Sequence, residues 1–278
     1  MSADAPTPTY YFRFTLGSRY LHGLLMVNYL GLAATGMTLF FSSAPWASAI
    51  AHGMGGFRAI LFLHKLCGVL LSAGFVFHVG QILYRALVKR EKGLFWGPTS
   101  MVPQPRDLLD MYRNFKWFLW LGPKPRFDRY TYWEKFDYWA VFWGMVIIGI
   151  SGYMMWFAPF FARLVPGSAF NIALLVHGEE ALLAVWFIFM IHWFNANLRP
   201  DKFPMDEVIF TGRISDEDLR EERPLEYDRL VEQGSLARLQ TGPPPRWLRN
   251  FARVIAASAF GVGFFLLIVT FAAFFRGP

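Results

Sequence analysis

Long apolar runs, separated by charged stretches, set the pattern of this 278-residue chain. Five runs are long enough to cross the roughly 30 Å hydrocarbon core of a bilayer, which takes about 20 helical residues. They cover residues 20–41, 60–87, 138–161, 170–195 and 252–275. Between them, 85–135 contains GPTSMVPQPRDLLDMYRNFKWFLWLG, which reads as a loop plus an interfacial helix with aromatic anchors. The stretch 199–253 is charged and mixed in sign, with a helix start at Ser215-Asp-Glu-Asp. TGPPPRW at 241–247 reads as a stiff linker before the fifth run. Residues 1–14 are polar and lack an h-region with a cleavage site, so the first run is expected to remain as an anchor. No internal repeat and no separate catalytic domain stands out.

Composition agrees with a membrane protein. Charged residues are 17%, against about 25% in soluble domains. Thirty Phe and eleven Trp suit lipid-facing and interfacial surfaces. The net charge of +7 is a topology signal rather than a mark of nucleic-acid binding. Eleven Lys and Arg fall in 85–135, while 42–58 and 158–169 carry only Arg58 and Arg163. The positive-inside rule then puts the N-terminus in the cytoplasm and the C-terminus outside. The lone Cys67 excludes an intramolecular disulfide, a Cys-x-x-Cys-His haem attachment and a cysteine-ligated iron–sulfur cluster.

Five of the six histidines lie in the apolar runs. His64 and His78 are fourteen residues apart, and His177 and His192 fifteen. On a helix each pair is separated by roughly 21–22 Å and lies within about 60° of one face. His22 stands in the first run. An imidazole in hydrocarbon is costly unless used, and a haem iron with axial histidines is the best user. A single such histidine is as often a polar contact between helices; the set, in spans and at two depths, points to two non-covalent b-type haems. Gly36, Gly68, Gly74, Gly149 and Gly152 offer room for a macrocycle. His52 reads as a solvated loop histidine.

Charged groups near these positions have two readings. Arg58 and Lys65 at the outer side, with Arg19, Arg85 and Arg199 at the inner side, fit haem propionates as a set; singly, each is a snorkelling cation. Glu179 and Glu180, read as opening the fourth helix, are either held by its N-terminal dipole and interfacial water or serve proton movement or docking. The stretch FDRYTYWEKFDYW offers Tyr132, Glu134 and Lys135 for a quinone slot, or is an aromatic belt.

SRYLHG, LHKLCG, SGYMMWFAPFF, LLVHGEEA and MIHWF, in that order, resemble the cytochrome b subunits of bacterial formate dehydrogenases and nickel–iron hydrogenases, a four-helix di-haem family. The resemblance covers about 13–199. It implies that His64 and His177 ligate an outer haem, and that His192 ligates an inner haem with His22 as partner. It also implies a quinone, menaquinone or ubiquinone, beside the inner haem. Two features depart from the family: the His177–His192 spacing is usually one shorter, and His78 is extra. Pairing His78 with His192 would instead resemble cytochrome b of quinol–cytochrome c oxidoreductases. The local match at RYLH favours His22, and His78 stays as the alternative.

The expected architecture is therefore an all-α integral membrane protein, a four-helix haem-binding bundle plus a fifth transmembrane helix. Residues 1–199 form the cytochrome b domain, 200–251 a cytoplasmic tail and 252–278 the fifth helix. The expected role is electron transfer between the quinone pool and a periplasmic iron–sulfur or multihaem cytochrome c subunit. The chain would be the quinone-reactive subunit of an oxidoreductase whose substrate chemistry sits elsewhere. Small residues Ala257 and Gly261 on the fifth helix are candidates for a close contact with a partner or a second copy. The rival readings are a stand-alone transmembrane reductase of an outer acceptor and a haem-free transporter or assembly protein.

Overall fold

The computed structural model describes residues 8–199 and 202–276. Its five longest helices are apolar enough to cross a membrane: Leu16–Phe40, Phe57–Val88, Tyr132–Trp156, Ser168–Leu198 and Arg246–Ala273. They are called the first to fifth spans below. The ends differ from the apolar runs for local reasons. The third span starts at Tyr132 rather than near 138 because Thr131 and Glu134 form a capping box. The Glu134 carboxylate accepts from the Thr131 amide (2.7 Å) and hydroxyl (2.8 Å), and the Glu134 amide donates to Thr131 Oγ1 (3.3 Å). The same span ends at Trp156 rather than near 161. Pro159 cannot continue the helix and instead sits in the first turn of a separate short one, Ala158–Phe161. The fourth span begins at Ser168, so Glu179 and Glu180 do not open it. They lie well inside, about 17 Å along the axis at 1.5 Å per residue.

Packing gathers the chain into two compact units, each drawn from three separated segments. One unit combines the residues up to Arg19 with Gly80–Ala140 and Glu207–Ala252. It contains the three strands, β1 (Tyr10–Phe12), β2 (Arg213–Ser215) and β3 (Gln240–Thr241). They pair antiparallel in the order β2-β1-β3, with Tyr11 opposite both Ile214 and Gln240. Tyr11, Val208, Ile214 and Leu219 form the buried core beneath them. Ser215 caps the helix Asp216–Glu222 by accepting from the Asp218 amide, as its sequence suggests.

A buried ion network closes this unit. Glu226 is 2% exposed and accepts from the guanidinium groups of Arg13 and, at 2.7 Å, Arg129. Each of these arginines also donates to the other's backbone carbonyl. Arg223 pairs with Glu134 at 2.9 Å and Arg229 with Asp128 at 2.8 Å. The network thus ties the strand before the first span, the segment before the third, and the 207–252 segment. Burial pushes the Glu226 carboxyl up, but the charges and hydrogen bonds of Arg13 and Arg129 outweigh it and hold the group below its ordinary value. A depressed carboxylate stabilises fully above the unfolded value of about 4.3 and loses that contribution as the pH falls through the folded one. Glu226→Gln is expected to cost roughly 3–5 kcal/mol, because the buried Arg13 and the partly buried Arg129 lose their counter-charge. It should also flatten the acid limb of the stability profile, read by pulse proteolysis of purified protein between pH 7 and 3. An unchanged profile would remove the network from the account.

The helix Pro105–Phe118 of the same unit is inside-out. Asp110 and Asn114 are buried, while Leu108, Tyr112, Phe115 and Phe118 are exposed. Asp107 binds Lys135 at 2.9 Å through both oxygens, and Asn114 donates to the Tyr132 hydroxyl at 2.9 Å. A helix whose polar face is inward and whose apolar face is outward suits the bilayer interface expected of it.

The second unit combines Tyr20–Val79, Val141–Asp206 and the residues from Arg253 on. Its core joins Ala33 and Met37 of the first span, Val185 and Phe189 of the fourth, and Leu266 of the fifth. The fifth span docks along Ala256, Ala259, Gly263, Leu266 and Thr270, all buried at alternating spacings of three and four. Gly263 is required there: an added Cβ would stand 2.0 Å from Cδ1 of Phe189. Ala257 and Gly261, expected to admit a neighbour, lie on the exposed side. A Cβ on Gly261 would meet nothing within 4 Å.

Candidate functional site

The second and fourth spans bring His64 and His177 together. Their ring centroids are 6.2 Å apart and the rings cross at 75°. Each ring leans on a neighbouring span in the same way. Gly36 of the first span lies under His64, where an added Cβ would be 3.1 Å from Cε1. Gly152 of the third span lies under His177, where it would be 2.9 Å from Cε1. Beside each glycine is a hydroxyl at the ring's Nδ1: Thr35 Oγ1 is 3.0 Å from His64 Nδ1, and Ser151 Oγ is 3.2 Å from His177 Nδ1. The Ile148 carbonyl is also 2.9 Å from His177 Nδ1.

These contacts decide which nitrogen carries the proton. A carbonyl only accepts, so His177 Nδ1 donates to Ile148. Thr35 already gives its hydroxyl hydrogen to the Gly31 carbonyl at 2.6 Å, and Ser151 gives its own to Ile147 at 2.7 Å. Both hydroxyl oxygens therefore accept from Nδ1–H, which leaves each Nε2 lone pair for a metal. An iron bound by two imidazole nitrogens at about 2 Å each holds the ring centres roughly 6 Å apart. The observed separation fits a bis-histidine haem. Among the described residues, no group of three or more His, Cys, Asp or Glu is arranged to hold a metal ion. A haem iron asks the protein for only two ligands, since the porphyrin supplies the rest.

On the first span, His22 lies close enough to His192 of the fourth for their charges to interact. The ring of His78 packs on Phe142, centroids 6.2 Å apart, and Phe142 packs in turn on Phe75. The fifteen-residue spacing on the fourth span has a local explanation. Ile188–His192 is a π-helical turn, bonded i to i+5, which takes up one extra residue within an α-helix. Fifteen residues with such a turn bring the chain round much as fourteen do without it.

The other expected groups are mostly engaged. Lys65 stands over the Trp156 ring at 4.8 Å, and Trp156 stacks on Tyr153 and Phe157. Arg85 is paired with Glu91 through two hydrogen bonds of 2.7 Å, and Arg19 donates to the Phe210 carbonyl at 2.8 Å. Arg58 is exposed in the first turn of the second span, and Arg199 follows the end of the fourth. Glu180 accepts from Trp143 Nε1 at 3.4 Å, and Glu179 is exposed. His52 is exposed in the helix Pro45–Gly53 rather than in a loop. Of the glycines, Gly36 and Gly152 meet histidine rings and Gly74 meets Leu24, while Gly68 and Gly149 make only ordinary contacts. Thr35 and Ser151 escaped the sequence reading. Their signal is a hydroxyl residue directly before a glycine, Thr35-Gly36 and Ser151-Gly152, on two of the spans that carry no ligand of this pair.

No family model matches the chain. Among curated proteins it is similar to the formate dehydrogenase cytochrome b556(fdo) subunit of Escherichia coli K12. The two are 23% identical over 184 residues, 66% of this chain and 77% of that subunit. The subunits of the same name from the O6:H1 and O157:H7 strains match to the same extent. The chain is thus a membrane-type protein of five long apolar helices, distantly related to a cytochrome b subunit of an oxidoreductase.

Proposed function

We propose that the chain is a membrane di-haem cytochrome b that carries electrons between the quinone pool and a redox partner at the periplasmic face. The observation that carries this reading is the His64–His177 pair: ring centres 6.2 Å apart, with both Nδ1 atoms tied to acceptors on neighbouring spans. In this reading His64 and His177 hold the outer haem. His22 and His192 hold the inner one, with His78 as the alternative to His22. Haem supplies reversible one-electron transfer when bound. The spans orient the imidazoles and exclude water from them. The single Cys67 leaves any cysteine-ligated iron–sulfur centre to another chain. The substrate chemistry of the complex, in the manner of a formate dehydrogenase, would likewise lie on a partner subunit.

Tyr132, Glu134 and Lys135 remain the candidates for the quinone, menaquinone or ubiquinone, on the cytoplasmic side. Each already has a partner, in Asn114, Arg223 and Asp107 respectively. A quinone oxygen would therefore compete with these bonds or borrow a proton through them. Arg19, Arg58, Lys65, Arg85 and Arg199 are the cations available to propionates, and for Lys65 and Arg85 this means leaving Trp156 and Glu91. The reading places the chain in a bacterial inner membrane, with the N-terminus cytoplasmic. The absorption spectrum of the purified protein, oxidised and dithionite-reduced, tests it. A reducible b-type spectrum with two haems per chain is expected, and a haem-free chain would overturn the reading.

A further inference from the structure

Thr35 and Ser151 occupy matching positions on two helices. Each precedes the glycine on which a histidine ring rests, and each hydroxyl spends its own hydrogen on a carbonyl four residues back. That leaves an oxygen fixed as an acceptor at Nδ1 of His64 and His177. The same contact made twice, from the first and the third spans, is more than helix packing needs. A Ser or Thr bonded to its own helix satisfies itself without a partner.

We propose that Thr35 and Ser151 are positioning residues for the outer haem, which fix both ligands as Nδ1–H donors and so hold that haem at a lower reduction potential than bare imidazoles would. The inference rests on the reading that His64 and His177 are its ligands. An Nδ1–H shared with an acceptor makes the imidazole a stronger base at Nε2. A stronger base favours the ferric over the ferrous state, so a reduction that adds one electron is made harder. In the proposed function that electron comes from a quinol or from the partner subunit; in the test it comes from dithionite. The Gly36 and Gly152 positions serve the same end, since a Cβ at either would press on Cε1 and move the ring off its acceptor.

The test is a spectroelectrochemical titration of the b-type absorbance in the full-length protein in detergent. Two one-electron waves are expected. Thr35→Val, which keeps the shape and removes the hydroxyl acceptor while the Leu32 carbonyl stays at His64, should raise one wave by up to about tenfold in its reduction equilibrium constant, or 59 mV for one electron. The other wave should stay in place. Ser151→Ala should raise the same wave to a similar extent, because the Ile148 carbonyl still accepts from His177 as the Leu32 carbonyl does from His64. Thr35→Ser should restore the wild-type value. Two unmoved waves in Thr35→Val, with both haems retained, would overturn the proposal. If Thr35→Val loses haem, Ser151→Ala decides: an unmoved wave there overturns it equally. A wild-type protein without a b-type spectrum would fail differently, since it removes the haem reading itself and this inference with it.

Discussion

His64→Ala and His177→Ala should each halve the haem content of the protein, from two to one per chain, and erase the same one of two redox waves. The two substitutions should be indistinguishable in this respect, because an iron held between two imidazoles loses its low-spin bis-histidine state when either is cut back to a methyl group. The remaining ring cannot restore the site. Loss of folding is not the expected cause. The unit's core of Ala33, Met37, Val185, Phe189 and Leu266 contains neither histidine, and the fifth span docks on that core. Haem quantitation by pyridine haemochrome against protein concentration is the measurement. Two haems per chain in either variant would show that the pair at 6.2 Å is not an axial pair.

The second result separates two ways of building the inner site. His22→Ala is expected to remove the other haem, leaving the wave that the His64 and His177 variants lose. His78→Ala is expected to keep both. The ground for this is the nearness of His22 to His192, together with the π-turn that carries His192 round the fourth span. The ring contact of His78 with Phe142, by contrast, is a packing contact of aromatic type. The reverse outcome, with His78→Ala losing a haem and His22→Ala sparing both, would mean that two helices supply all four ligands. In that case His22 would be the residue left for proton transfer or quinone contact.

The spans were legible because each apolar run exceeds what a soluble helix needs, and their ends were not, because ends depend on caps. Thr131 with Glu134 starts the third span early, and Pro159 stops it early. Both signals lie in the sequence, but a reading by hydropathy passes over them. The histidine spacings were legible as well, since a regular helix converts spacing into depth and face. What spacing could not show was the irregularity at Ile188–His192, or the acceptors at Nδ1. Thr35 and Ser151 sit on spans other than those of the rings they touch, so no single helix reveals them. The fifth span shows the same limit. Gly261 and Gly263 are alike by composition, and only the neighbouring Phe189 ring makes one of them indispensable. Least legible was the network around Glu226. Its arginines come from positions separated from it by 213 and 97 residues, and a charged stretch of mixed sign reads as a solvated tail until its partners are known.

The three-stranded sheet has a consequence for how the chain is made. Its middle strand, β1, is synthesised first, and both of its neighbours lie about 200 residues later. At about 5–20 residues per second, β1 leaves the ribosome some 10–40 s before either edge can be covered. Four spans emerge in that interval. The buried ion network and the sheet can therefore form only after the first four spans have been made, so folding of this unit reports that those spans are already in place.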